Sequence, residues 1–349
     1  MRTLIVGDEF IPAPAYLDAF AERATDGEVD LRTVALPGAK AEQHALQQIM
    51  EVRGANAVEP PAEVLSELAG VEAICVHFAP VGRALIDTAP DLRIIAVARA
   101  GLENIDVEAA SARGIVVVPA FGRNAGAVAE LQIGLMLAEA RNIARADASV
   151  KQGGWRKEFP GARIEIAGRT VGMVGFGHVG RVFAQRLAGF APRLLAYDPY
   201  TEEEAFRQHG VERAASLDQV FADSDFVVVQ ARHSPETDRF IGARQFALMK
   251  PTAYFINVSR SRVVDTQALL DVLRSGSISG AGLDVFDDEP LPADSEFRAL
   301  DNLTVTTHFG GDTADTNRTS ANLVASAVLE FVRTGRVATA VNADAVGSA

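Results

Sequence analysis

Short apolar runs rich in β-branched residues alternate along the chain with longer stretches in which apolar residues recur every three to four positions. Continuous short runs suit strands covered on both faces of a parallel sheet, and the longer stretches suit the helices that cover them. A first series of runs lies at 4–6, 73–76, 94–97 and 115–118. A second series has strand cores at 171–174, 194–197, 226–229, 254–257, 281–285 and 303–307. Six strands suit one complete doubly wound sheet, so the expected class is α/β with two doubly wound parallel sheets. Between the series, 124–146 reads as one connecting helix with Asn124 as its N-cap, broken after Lys151 by Gly153-Gly154. Residues 315–333 read as a last helix with Leu323, Val324, Ala327, Val328 and Phe331 on one side, followed by a small, polar tail expected to be mobile. The first domain is therefore expected at 1–123 completed by 310–349, with the second, 124–309, inserted into it and a cleft between them.

Charge narrows the partners. The 349 residues carry 33 Lys+Arg and 46 Asp+Glu, a net charge of −13. Such a balance repels phosphate backbones and anionic lipid surfaces, which points to small molecules or proteins and away from nucleic acid and membranes. No uncharged run approaches the roughly 18 residues a bilayer span needs. The single cysteine, Cys75, forms no internal disulfide and no multi-cysteine metal site, so a reducing cytoplasmic setting and no metal are expected.

Gly175-Phe176-Gly177-His178-Val179-Gly180 follows an apolar strand and opens an apolar-periodic helix through Val182, Phe183, Leu187 and Ala188. In a G-x-G-x-x-G at that junction the first glycine permits the tight turn, the second admits a pyrophosphate to the backbone, and the third lets helix and strand pack closely. The positive end of the helix, with His178 and Val179, then faces the anion. Alone, such a triplet is equally a tight turn. Asp198 decides the matter, because it ends the next strand about 20 residues on, where its carboxylate would accept from ribose hydroxyls. The same charge would repel a 2′-phosphate, and Pro199-Tyr200 offers no arginine to receive one, so NAD(H) is expected over NADP(H) and the second domain is a Rossmann domain.

Three further runs bring ionisable groups to strand ends: 255–260 ends on Arg260, 284–290 holds Glu289, and 306–311 holds His308. Singly, these read as a surface charge, one acid of an acidic loop and a strand-end histidine. Together, beside a dinucleotide fold, they supply a cation for a carboxylate and carbonyl, a proton donor working near neutral pH, and a carboxylate to hold that donor.

From about Ala73 to Thr334 the chain resembles the D-isomer-specific 2-hydroxyacid dehydrogenase family, whose phosphoglycerate, D-lactate and glyoxylate/hydroxypyruvate enzymes share these motifs. Matching segments include Asn104-Ile105-Asp106, the 175–180 loop, Tyr197-Asp198-Pro199, Pro235-Glu236-Thr237, 257–265, 280–290, and His308 with Gly310-Gly311. The resemblance implies a Rossmann domain inserted into a flavodoxin-like substrate domain, NAD as cofactor, a small 2-oxo or 2-hydroxy acid as substrate, and a homodimer joined through the nucleotide domains. It further implies that Arg260 orients the substrate carboxylate, His308 is the acid/base with Glu289 as its partner, Asp284 contacts the carboxamide of nicotinamide, and Thr237 belongs to the cofactor site.

The departures are local. Ser261 stands where the family has Gly, Thr307 where it has Pro, and Arg232-His233-Ser234-Pro235-Glu236-Thr237 replaces a P-L-T-x-x-T pattern, placing an unusual arginine near the cofactor. The substrate loop, A-G-x-G-x-D-N-I-D in the family, runs Ala98-Arg99-Ala100-Gly101-Leu102-Glu103-Asn104-Ile105-Asp106. Ala100 and Gly101 would offer backbone amides to the substrate carboxylate, and Arg99 an extra cation for a second anionic or hydroxylated end. His77 is the one basic residue in 76–80, a loop where phosphoglycerate-type members carry basic residues, which argues against 3-phosphoglycerate as substrate unless Arg83 or Arg99 compensates. Glu289 speaks against formate dehydrogenase, which has a Gln–His arrangement. The contrasting class is the NAD(H)-binding corepressor scaffold, which keeps the same Arg, Glu and His without significant turnover.

Overall fold

The computed structural model describes residues 1–346. The chain forms two compact units, one from Met1–Arg123 with the stretch beginning at Ala314, the other from Asn124–Thr313. The return crossing thus falls at 313/314 rather than 309/310, and the segment carrying His308 and Gly310-Gly311 belongs wholly to the second unit.

The first unit is a five-stranded parallel sheet ordered β2-β1-β3-β4-β5, the flavodoxin-like order, built from β1 (Arg2–Gly7), β2 (Asp30–Ala35), β3 (Ala73–Val76), β4 (Ile94–Val97) and β5 (Val116–Pro119). β3 and β4 are buried at every position, which is why they read as unbroken apolar runs. β2 is an edge strand that buries no residue fully, so no apolar run announces it. The other edge, β5, is covered by the tail expected to be mobile. Val341 donates its N–H to Val117 O at 3.0 Å. Asn342, buried, accepts from Val117 N at 2.9 Å and donates to Ile115 O at 2.8 Å and to the Ser111 hydroxyl at 2.9 Å. An uncovered edge would leave those backbone groups without protein partners, and the tail supplies them. The helix Ala314–Thr334 buries Val324, Ala327, Val328 and Phe331 as expected, whereas Leu323 stays partly exposed.

The second unit is a seven-stranded parallel sheet ordered β12-β11-β10-β9-β6-β7-β8, one strand more than the sequence pattern predicts. Its strands are β6 (Thr170–Val174), β7 (Arg193–Tyr197), β8 (Glu212–Arg213), β9 (Phe226–Val229), β10 (Tyr254–Asn257), β11 (Gly280–Leu283) and β12 (Leu303–Val305). The addition, β8, is two exposed residues paired to the end of β7. The strand order reverses between β6 and β9, the place where doubly wound sheets bind ligands beyond their carboxyl ends. Fully buried Phe221, Phe226, Phe255 and Tyr254 help fill the layers against this sheet, each worth on the order of 2–3 kcal/mol of apolar burial.

The connecting helix is two helices, Ala125–Arg141 and Ile143–Lys151, broken at Asn142 (φ 56°, ψ 36°). Asparagine tolerates this left-handed turn, and periodicity alone does not register it. Asn124 occupies the N-cap position but makes no side-chain cap bond; its amide lies against Gly311, where an added Cβ would come within 2.7 Å of Nδ2. Farther along, both carboxylate oxygens of buried Glu139 accept from Arg145 Nη2 at 2.9 Å, and Oε1 also accepts from the hydroxyl of Thr304. Burial pushes its carboxyl up against the pull of that arginine. This anchor fixes the helix to β12, whose end carries His308.

Candidate active site

The glycine loop has the geometry a diphosphate needs. Gly175 adopts φ +98°, and an added Cβ would meet Ala231 N at 3.0 Å, so this position requires glycine. A Cβ on Gly180 would strike Gln230 Oε1 at 2.6 Å, while one on Gly177 would meet nothing within 4 Å. The loop is thus closed on its protein side and open at Gly177, where the helix His178–Leu187 starts; Gly177 and His178 are exposed and Val179 half-buried. Asp198 ends β7 as expected. Its Oδ2 accepts from Phe176 N at 2.8 Å and its Oδ1 from Tyr200 N and Thr201 N at 2.9 and 3.2 Å. Three of a carboxylate's roughly four acceptor sites are therefore filled within the chain, leaving room for about one hydroxyl rather than two. The residues fit a dinucleotide. Thr237 does not offer its hydroxyl: it accepts from Ser234 N at 2.7 Å and donates to Arg232 O at 2.8 Å, which fixes the loop.

Arg260, Glu289 and His308 lie beyond the carboxyl ends of β10, β11 and β12, three neighbours in the sheet. Buried Asn257 places the arginine: Oδ1 accepts from Ser259 N and Oγ at 3.0 and 2.8 Å, and Nδ2 donates to Arg260 O at 3.0 Å. The Arg260 side chain is exposed, and its one side-chain bond among the described residues is from Nη1 to Ser259 O at 2.8 Å. His308 Nδ1 meets Glu289 Oε2 at 2.6 Å, and Glu289 Oε1 accepts from Phe286 N at 2.9 Å. The imidazole is 43% exposed, so Nε2 is left for a ligand. His308 itself has φ +57°, a conformation that costs a non-glycine residue of order 1 kcal/mol or more and persists only where its surroundings impose it. Asp284 imposes it. Buried to 1%, it accepts from the Thr306 hydroxyl at 2.6 Å, Phe309 N at 3.2 Å and Gly310 N at 2.9 Å, clamping both sides of His308. Asp284, expected at the nicotinamide, spends three of its roughly four acceptor sites on the histidine loop, and Asn257 positions Arg260 in the same way. A polar residue buried at the end of an apolar strand is the signal that marks both.

Residues 133–310 match the family model of the D-isomer specific 2-hydroxyacid dehydrogenase NAD-binding domain. The chain belongs to this family. It is 37% identical over 290 residues to a D-3-phosphoglycerate dehydrogenase of Methanocaldococcus jannaschii, covering 82% of this chain and 55% of that protein. It is 36% identical to a glyoxylate reductase of Pyrococcus furiosus, covering 82% of this chain and 87% of that one. The chain therefore spans about half the length of the phosphoglycerate dehydrogenases it matches and most of the glyoxylate reductase. Among solved structures, an NADPH-dependent glyoxylate/hydroxypyruvate reductase of Sinorhizobium meliloti superposes with a TM-score of 0.71 at 27% identity, covering 97% of each chain.

In the first unit, the two basic side chains that the sequence offers to a substrate both have partners within the chain. Arg99, 13% exposed, pairs with Glu51 Oε1 at 3.0 Å and Glu103 Oε2 at 3.8 Å and lies over the Phe78 ring at 5.1 Å. It is not the free cation the sequence suggests, because two carboxylates oppose one guanidinium. Glu51 comes from the helix Lys40–Arg53, far from Arg99 in sequence, and no local pattern identifies it. His77 is 2% exposed, stacked on Phe78 at 4.0 Å, with Nδ1 bonded to Asp8 Oδ2 at 2.9 Å and Nε2 also buried. Burial pushes its pKa down, and Asp8, which burial alone would raise, is held below the usual range by His77 and by the N–H groups of Ile11 and Phe10. A neutral imidazole donating to a carboxylate is a structural pair, and it presents no nitrogen to solvent. Ala100 is exposed and Gly101 half-buried, and the Glu103 carboxylate lies against Gly101, where an added Cβ would strike Oε2. Among the described residues no helix is long and apolar enough to cross a membrane.

Proposed function

We propose that the chain catalyses reversible NAD(H)-dependent interconversion of 2-oxo and D-2-hydroxy acids. Bound NAD(H) supplies or accepts the hydride at C2 of the substrate. Arg260 binds the carboxylate and polarises the carbonyl through its fork of donors. His308 Nε2 delivers a proton to the carbonyl oxygen in reduction and removes it in oxidation, while Glu289 holds Nδ1–H and so fixes the tautomer. The observation that carries this reading is the 2.6 Å His308–Glu289 contact on a half-exposed imidazole whose loop is clamped by Asp284. Because Arg99 is neutralised and His77 buried, substrates without a phosphate are favoured. The dehydrogenases and reductases among its relatives do not favour the scaffold alternative.

The test is NADH and NADPH oxidation against glyoxylate, pyruvate, hydroxypyruvate, bulkier aliphatic and aromatic 2-oxo acids, and phosphorylated ones. Turnover with NADH preferred is expected; no turnover with any acid despite measurable NADH binding would restore the scaffold reading. Asp198→Ser should weaken NADH binding and shrink the preference over NADPH, since it removes the charge that repels a 2′-phosphate. An unchanged NADH/NADPH ratio of Kd values in that variant would exclude the role.

The same reading includes a homodimer through the nucleotide-binding unit. Its support is the helix Ile143–Lys151, which buries none of its residues and, with the segment after it, exposes Ile143, Val150 and Trp155 to 54%, 53% and 76%. Sedimentation should give twice the 37.0 kDa chain mass, and Trp155→Glu should shift the equilibrium to monomer; a native protein that sediments as monomer overturns it.

A further inference from the structure

The loop that leaves β9 lies against the glycine loop at the reversal of strand order. An added Cβ on Gly175 would meet Ala231 N at 3.0 Å and Gln230 C at 3.1 Å, and Gln230 N donates to Val174 O at 2.8 Å. Arg232 is the next residue, and its own carbonyl is tied down by the Thr237 hydroxyl at 2.8 Å. The polar side chains that follow are spent on one another: Ser234 on Glu236 at 2.6 Å, and His233 on Asp238 at 2.8 Å. Arg232 is exposed and, among the described residues, has no ion pair or side-chain hydrogen bond. A rigid backbone thus carries one unpaired guanidinium beside the turn where an anionic ligand is to bind, in a chain of net charge −13. The glycine loop itself contributes no lysine or arginine between Gly175 and Gly180.

We infer that Arg232 is a dinucleotide-binding residue, its guanidinium closing the diphosphate site from the β9 side, opposite the backbone amides at the start of the helix His178–Leu187. A diphosphate diester carries two negative charges, and helix-start amides satisfy only part of its oxygens. A guanidinium supplies both compensating charge and paired donors matched to phosphate oxygens. The loop bonds through Thr237 and Ser234 fix the backbone from which the arginine projects, so binding has to order only its side chain. This rests on dinucleotide binding by the second unit and assigns one residue within it.

The experiment is calorimetric binding of NADH, NADPH, ADP-ribose, ADP and adenosine to the native chain and to Arg232→Ala, Arg232→Gln and Arg232→Lys, at low and high salt. Unchanged melting temperatures establish that each variant is folded, as expected for an exposed side chain. Loss of the guanidinium is expected to weaken NADH, ADP-ribose and ADP about tenfold or more at low salt. It should also flatten their salt dependence, leave adenosine unchanged, and be partly rescued by lysine. Equal affinities in native and Arg232→Ala protein overturn the assignment. So does a matching loss for adenosine, which would place the arginine on the base, or a loss confined to NADPH, which would place it on a 2′-phosphate. A native chain that binds none of the dinucleotides overturns the cofactor reading itself, a result distinct from intact binding that ignores Arg232.

Discussion

His308→Ala is expected to lower kcat by about 10²–10⁴-fold in reduction of the best 2-oxo acid, the usual worth of a positioned general acid. NADH affinity should stay near native, because among the described residues His308 bonds through its ring to Glu289 and not to the 175–180 loop. The expectation comes from how much of the local structure serves this imidazole. Glu289 takes Nδ1, Asp284 holds the backbone on both sides, and the chain tolerates a left-handed histidine at φ +57°. Backbone strain of this kind clusters at functional sites, where the surroundings maintain it. Glu289→Gln, which keeps the shape but removes the charge opposing an imidazolium, should fall between native and alanine. Near-native kcat in His308→Ala would mean that another group carries the proton.

Arg260→Ala should cost about 10³-fold in kcat/KM, by analogy with removing a charge-stabilising donor aimed at a developing oxyanion. The loss should appear in both KM and kcat, since the guanidinium is asked to hold the carboxylate in the ground state and to polarise the carbonyl in the transition state. Arg260→Lys restores the charge without the planar fork, so it should recover binding better than turnover. Steady-state kinetics on the acid that turns over fastest, with NADH saturating, decides the case. An effect under about fivefold in Arg260→Ala would remove the residue from the proposed site.

Which of these features were legible in one dimension follows from the range of the interactions behind them. Strands covered on both faces announce themselves as apolar runs, and the 175–180 loop announces itself because its turn, its ligand approach and its helix packing are all met by glycines a few residues apart. Arg260, Glu289 and His308 stand out for a similar reason: each follows a readable strand, and the parallel topology carries all three to one edge. Edge strands β2 and β8 lack such a signature because solvent replaces half of the pattern. Asn142 breaks a helix through backbone geometry that hydrophobic spacing does not encode.

The rest depended on partners distant in the chain. The tail at Val341-Asn342 reads as small and polar until the open edge of β5 gives its amides something to bind. Arg99 reads as a spare cation until folding delivers Glu51 to it, and His77 as a loop histidine until Asp8 and Phe10 enclose it. Asp284 reads as a cofactor contact until three donors from 306–310 claim its oxygens. By itself, then, the sequence determined the two α/β sheets, the dinucleotide loop and the three strand-end groups, because those depend on local periodicity and spacing. Only tertiary structure decided which charged side chains remain available for chemistry, because a charge is neutralised by whatever the fold places within about 3–4 Å of it.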